Sequence, residues 1–186
     1  MNKLRTTILA LVVSATAPVC AHADNAHRMI ATTVDLTGGA DSNAQLLAWK
    51  DKLPDIVAAR AAIVKSNPSL NLKMADEFFT TSFSSGTTTY VISVATYNCS
   101  SSDVLPNERL CTARLLETVN GVSRVVKEVP NFPIASVRGD AGYDETSNKQ
   151  MEAYTTVAFD PKKQAFAVNV YDAGDHSPNI LTINLK

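Results

Sequence analysis

From Glu77 onward, apolar and polar residues alternate with a period of two, and this pattern constrains the fold more than any other feature of the chain. The stretches EFFTTSFS and TTTYVISVATYN are rich in β-branched and aromatic residues, which favour strands. In the second stretch Tyr90, Ile92 and Val94 share one face, as expected of a strand with one buried side. The alternation therefore predicts a series of antiparallel strands.

Further strand patterns fill the second half of the chain. The stretch CTARLLETV runs into Asn120-Gly121, the strongest short hairpin signal in the sequence, and VSRVVKEV is the predicted return strand. Two more strands, at 151–159 and 165–171, are joined by a turn, and a last alternating strand spans 180–185. About seven strands in one antiparallel meander follow from these patterns.

The residues before the alternation are predicted to be irregular at first and then helical. Residues 24–42 are polar and are interpreted as an arm. Ser42 or Asn43 can cap a first helix, and Pro54 suits the first turn of a second one. Trp49 lies on the apolar stripe of these helices and is expected to pack where they meet the sheet. The predicted fold class is α+β: an antiparallel meander sheet of about seven strands with N-terminal helices packed on one face.

Residues 1–23 have the features of a secretory signal peptide. Lys3 and Arg5 give a positively charged N-terminal region, and residues 8–19 form the apolar core of the signal. Ala21-His22-Ala23 is a small-x-small cleavage pattern. The apolar core is shorter than the roughly 20 residues that a membrane span needs. No membrane span is therefore predicted, and the expected location is periplasmic or secreted.

Cleavage before Asp24 would leave 163 of the 186 residues, enough for a single domain over residues 24–186. The full chain has 17 basic and 18 acidic residues, and loss of the two basic residues of the signal gives 15 and 18, a formal net charge of −3. The basic residues are scattered along the sequence and form no basic patch, so nucleic-acid binding is not predicted.

Removal of the signal also removes Cys20 and leaves two cysteines, Cys99 and Cys111. In an oxidising compartment an isolated pair most simply forms one disulfide. A metal pair and a redox pair are the alternatives. Neither is favoured, because no histidine lies near either cysteine and the spacing is far from Cys-x-x-Cys.

Signatures of catalysis are missing from the sequence. It has no Gly-x-Ser-x-Gly, no His-Glu-x-x-His and no P-loop. Asp172, Asp175 and His176, within YDAGDHSPN, could bind a metal or make a small acid–base cluster, but Asp, Gly, Ser, Pro and Asn are also the residues of a tight turn. We therefore predict no catalytic residue, no metal site and no cofactor, and recognition becomes the favoured class of function.

Three segments resemble the inhibitor of vertebrate lysozyme family of periplasmic proteins. DKLPDIV at 51–57 is similar to the helix entry of that family, and TYVISVATYNC at 89–99 with TARLLETVNG at 112–121 is similar to its strand–loop–strand. The similarity covers about residues 46–126. It implies a loop between two cysteines that enters the cleft of a lysozyme. In the family this loop is a short Cys-Lys-Pro-His-Asp-Cys segment, whereas here it is longer and has no histidine.

The leading hypothesis is an exported binding protein that inhibits a protein partner, such as a lysozyme-like or other peptidoglycan hydrolase, or a toxin if the chain is an immunity protein. The loop between the cysteines offers Asp103, Asn107, Glu108 and Arg109 for partner binding. The alternative is that this loop is an ordinary surface connection closed by a disulfide, with no role in binding. The alternative functions are an extracytoplasmic hydrolase that uses the Asp/His cluster, and an envelope assembly protein that uses the strand at 180–185 as an exposed edge.

Overall fold

The computed structural model describes residues 26–39, 44–135, 143–144, 149–150, 152–172, 175–176 and 181–186. The predicted signal peptide lies outside the described residues. The helices are α1 (Ala44–Leu47) and α2 (Leu53–Ser66), with a 3-10 turn at Pro68–Leu70. The strands are β1 (Ala26–Arg28), β2 (Ile30–Asp35), β3 (Ala75–Ser85), β4 (Thr88–Ser101), β5 (Glu108–Val119), β6 (Val122–Ala135), β7 (Tyr143–Asp144), β8 (Lys149–Gln150), β9 (Ala153–Asp160), β10 (Ala165–Asp172), β11 (Asp175–His176) and β12 (Leu181–Asn184).

The protein is mostly β and contains two large antiparallel sheets, so the predicted α+β fold with one meander sheet is wrong. Sheet I has the strand order β2-β3-β4-β5-β6, and sheet II has the order β1-β9-β10-β11 with β12 also paired to β10. Strands β7 and β8 pair with each other. Alternation shows which face of a strand is buried, but it does not show which strands share a sheet. Two sheets packed face to face cover apolar faces that a single sheet would leave open.

The main core lies between the two sheets and is built from the alternating apolar residues of both. The aromatic rings of Phe83, Tyr90, Phe159 and Phe166 contact one another there, with centroids 4.7–6.3 Å apart. The other buried members are Met29, Phe79, Ile92, Val94, Cys111, Ala113, Leu115, Val129, Phe132, Ile134, Val157, Val168 and Ile183.

The predicted polar arm contains strands β1 and β2, which belong to different sheets. Between them, the backbone N–H of Met29 donates to the carbonyl of Thr155 at 2.9 Å, so the chain runs beside β9 up to this residue and then continues beside β3. The side chain of His27 stacks on Phe83, and its Nδ1 lies 2.9 Å from the carbonyl oxygen of Ser82 on β3. This bent segment joins the two sheets at one corner.

The two helices cover part of the outer face of sheet I and form a second core. Trp49 is buried there, as predicted, and its Nε1 donates to Ser93 Oγ at 3.0 Å. Helix α1 is a single turn, and α2 begins at Leu53 with Pro54 in its first turn. The other buried members of this core are Val34, Leu36, Leu46, Ala48, Leu53, Ile56, Phe78, Ala95 and Leu116.

Arg114 on β5 connects the helical layer to sheet I. Its side chain is 5 % exposed, and its guanidinium donates to the carbonyl of Ala48 at 3.0 Å, to both carboxylate oxygens of Asp51, and to Glu128 at 2.9 and 3.0 Å. Its Cζ also lies 4.9 Å from the centre of the Trp49 ring. Because these groups come from the helical layer and from β6, the side chain of Arg114 joins the helical layer, β5 and β6.

The hairpin predicted at Asn120-Gly121 is confirmed. Val119 on β5 is paired with Val122 on β6, so two residues form the turn. Asn120 and Gly121 both adopt positive φ angles, 51° and 79°, as a turn that matches the twist of the strands requires.

We predict that Arg114→Met lowers the free energy of unfolding by about 2 kcal/mol, because a buried guanidinium loses its charged hydrogen bonds to Asp51 and Glu128, whose side chains are themselves more than half exposed. The matched control is Arg124→Met, which breaks an exposed ion pair with Glu117 on the same hairpin and should cost less than about 1 kcal/mol. Urea denaturation of both variants provides the measurement. Equal losses would show that the Arg114 network adds nothing beyond an exposed pair.

A pH prediction follows from Asp51. The hydrogen bond from Arg114 lowers the pKa of Asp51 from its ordinary value. A lowered pKa in the folded state means that the stabilisation is complete above the unfolded pKa of about 3.9 and is lost as the pH falls through the folded value. The Asp51→Asn variant should therefore show a shallower loss of melting temperature below about pH 4 than the parent protein. If the melting temperatures of the parent and the variant fall equally below about pH 4, the prediction is wrong.

Candidate functional site: a hairpin tip held by a disulfide

The Cys99–Cys111 disulfide is present, with the two Cα atoms 4.2 Å apart. It lies at an irregularity in the ladder between β4 and β5. Ala95 is paired with Thr112, and the next pair is Ser100 with Leu110, so four residues of β4 face one residue of β5. The disulfide holds the strands together where the regular ladder is interrupted.

Beyond the disulfide the chain continues as a hairpin rather than as an open loop. Ser101 pairs with Arg109, and the remaining turn consists of Ser102–Asn107, which we call the tip. The N–H of Ser102 donates to the carbonyl of Glu108 at 3.3 Å. The segment between the cysteines is thus ordered by strand pairing on both sides of a six-residue turn.

Side-chain hydrogen bonds close the tip from within. The hydroxyl of Ser102 donates to Glu108 Oε2 at 2.5 Å and accepts from the N–H of Val104 at 3.1 Å. The N–H of Glu108 donates to the carbonyl of Leu105 at 3.1 Å. Glu108 is only 4 % exposed, so its carboxylate serves the turn and is not presented to solvent.

The tip is also attached to sheet II. Asn107 donates to the carboxylate of Asp172, at the end of β10, with its backbone N–H and with its Nδ2, both at 2.8 Å. Asp172 is 3 % exposed. The side chain of Leu105 packs against a small apolar cluster formed by Ala135, Ala153 and Val170. A turn of sheet I is therefore fixed to sheet II by one charged hydrogen-bond pair and one apolar contact.

The four predicted partner-binding residues differ in what they offer. Asp103 is exposed. Asn107 and Glu108 hold the tip in place, and Arg109 lies 3.6 Å from Glu77 in an ion pair that is partly buried on both sides. Two residues that were not predicted, Val104 and Pro106, are exposed beside Asp103, and Val104 is 42 % exposed.

The alternative Asp/His cluster is only partly described. The backbones of Asp172 and Asp175 are paired, and so are those of Tyr171 and His176. The side chains of Asp175 and His176 lie outside the described residues. The carboxylate of Asp172 already accepts two hydrogen bonds from Asn107, which is an anchoring role.

The edge strand of the assembly hypothesis is β12. It pairs with β10, and the Nζ of Lys127 on β6 donates to the carbonyl of Asn184 at 2.8 Å. This contact gives one outer carbonyl of β12 a partner within the chain.

Within the described ranges, no three His, Cys, Asp or Glu side chains are grouped so that they could hold a metal ion. Every buried side-chain polar atom in the same part of the chain has a hydrogen-bond partner. Among the residues that the structure describes, no helix is long and apolar enough to cross a membrane.

Sequence reasoning did not find Asp172 as an anchor or Leu105 as a packing residue. Asn107 and Asp172 are 65 positions apart, and no local pattern connects them. The one sequence signal for this attachment was Leu105, because an apolar side chain in a polar turn often packs against the body of the protein.

Comparisons with protein-family models, with curated proteins and with solved structures find no match for this chain. The resemblance to lysozyme inhibitors therefore stays a prediction that is based on local motifs.

We predict that Asn107→Ala loosens the tip while the disulfide stays intact. The variant loses the Nδ2 bond to a buried carboxylate, which should lower the free energy of unfolding by about 1–3 kcal/mol. Amide hydrogen exchange over Ser102–Asn107 should become faster. The control is Asn98→Ala on the same hairpin, where the exposed side chain makes only a long 3.4 Å bond to Thr112. Equal exchange rates in the tip of both variants would rule out the anchoring role.

Proposed function

We propose that the chain is an exported binding protein that inhibits a protein partner by inserting its tip into a cleft. The observation that carries this proposal is the double attachment of the tip, through the Cys99–Cys111 disulfide and through Asn107 to Asp172. These attachments order the backbone before any partner arrives. A preordered segment loses little conformational entropy on binding, and this increases its affinity.

The exposed chemistry of the tip indicates what kind of cleft would accept it. Asp103 offers a carboxylate, and Val104 and Pro106 offer apolar surface beside it. The complementary cleft has a basic group next to an apolar wall. Clefts of peptidoglycan hydrolases are the proposed target, because the segments around the tip resemble those of lysozyme inhibitors. A toxin with a basic cleft is the target if the chain acts as an immunity protein.

The location of the protein fits this role. Disulfides persist in oxidising compartments, so the Cys99–Cys111 bond is consistent with an extracytoplasmic location. The proposed periplasmic or secreted site of action places the tip where cell-wall hydrolases work.

The test is inhibition of a panel of lysozyme-like muramidases and amidases by residues 24–186 in the oxidised form. Asp103→Lys and Val104→Asp should each weaken inhibition of the responsive enzyme by about tenfold or more, because each removes a central contact of the tip. Neither side chain holds the tip in place, so the melting temperature should stay close to that of the parent.

The matched control is Asp55→Lys, a charge reversal at an exposed position of α2. It should leave inhibition unchanged. If both tip variants inhibit as well as the parent, the tip does not carry the activity. If no enzyme of the panel is inhibited, a peptidoglycan hydrolase is the wrong partner.

A further inference from the structure

Sheet I ends in two edge strands, β2 and β6, and only β6 has features that prevent pairing with a further strand. Strand β6 contains Pro130 and Pro133, which lack the N–H group that strand pairing needs. Its ladder with β5 also shifts register at two places. Prolines and bulges of this kind are the usual protection of an edge strand, so β6 is a poor partner for another strand.

The other edge of sheet I lacks this protection. Strand β2 has the sequence IATTVD, with no proline and no lysine, and its ladder with β3 is regular. Among the residues that the structure describes, no strand pairs with the outer side of β2, which we call the open edge. The open edge is bounded by the bend at Met29 and by the turn in which Asp35 accepts hydrogen bonds from Thr37 at 2.7 and 2.8 Å.

The ladder shows which backbone groups point to the open edge. Just after β2, the N–H of Leu36 donates to the carbonyl of Met74 at 3.0 Å, in the register of β2 and β3. Because the direction of hydrogen bonding alternates along an antiparallel strand, the even-numbered residues of β2 bond to β3. The N–H and C=O groups of Ala31, Thr33 and Asp35 therefore point to the open edge. The chemical group that matches such a row is the extended backbone of another strand.

We propose that a second copy of this chain pairs with the open edge, so that the two β2 strands lie antiparallel about a twofold axis. The open edge is complementary to itself. When Thr33 lies opposite Thr33 of the second copy, Ala31 lies opposite Asp35, and all three outward positions of each copy are paired. No other antiparallel register pairs all three. Two threonines directly opposite each other are also a favourable pair in an antiparallel sheet.

The side chains of β2 are compatible with this register. Ala31 and Thr33 are small and exposed, so they leave room for a neighbouring strand. Asp35 is the one charged residue of β2, and hydrogen bonds from Thr37 lower the pKa of its carboxyl group. In the proposed register the two Asp35 carboxylates are four residues apart along the strands, about 14 Å. Dissolved ions screen exposed charges over about 8–10 Å, so the repulsion between the carboxylates is small.

The association is expected to be weak and therefore dependent on concentration. The paired edges form about six backbone hydrogen bonds, two for each of the three residue pairs. A contact of this size buries less surface than the roughly 1,200–2,000 Å² of a stable interface. The inference is independent of the proposed function, because no residue of β2 belongs to the tip.

The test is sedimentation equilibrium of residues 24–186 in the oxidised form, at concentrations from about 10 μM to about 1 mM. The apparent mass of the parent should rise from that of one chain toward that of two. Ala31→Lys places a cation opposite Asp35 of the second copy and should strengthen association about threefold or more. Ala31→Asp places a carboxylate there and should weaken association by a similar factor.

The matched controls are Val122→Lys and Val122→Asp, which change the net charge equally at a position of β6 that is 71 % exposed. They should associate like the parent. If the two Ala31 variants differ from each other no more than the two controls do, Ala31 does not face Asp35 and the proposal is wrong. A parent protein that keeps the mass of one chain at the highest concentration would also refute it, and the open edge would then be available only to a strand of a different protein.

Discussion

The ion network of Arg114 is the interaction on which the layered structure depends. Sheet I has one face against sheet II and needs a cover on the other, but α1 is a single turn and α2 has 14 residues. Such short helices have little intrinsic stability and rely on tertiary contacts. Arg114 supplies a directional contact, because its planar guanidinium joins the helical layer at Ala48 and Asp51 to β6 at Glu128.

Strand β5 carries this network and also leads to the tip. It starts at Glu108, which closes the tip, and passes through Arg114. Because a strand paired on both sides is stiff, the distance between the tip and the Arg114 network is set by the sheet itself. The fold therefore presents an ordered turn with an exposed carboxylate, Asp103, at one end of sheet I.

The features that the sequence predicts correctly are local. The hairpin at Asn120-Gly121 and the disulfide of Cys99 with Cys111 depend on turn chemistry and on cysteine arithmetic. The division into two sheets depends on a bend at Met29, where the chain changes its partner strand, and no residue type marks such a bend. The contact between Asn107 and Asp172 is equally invisible, because it joins positions that are distant in the chain.

The charges of the tip region show why residue type alone is a poor guide to a binding surface. Glu108 is buried, and so the tip presents its charge to solvent at Asp103. Along the turn, Val104 and Pro106 are exposed, whereas Leu105 packs against sheet II and Asn107 bonds to Asp172. Anchoring and exposed residues thus alternate. Substitutions at the exposed positions can therefore change the surface of the tip without loosening its attachment to the two sheets.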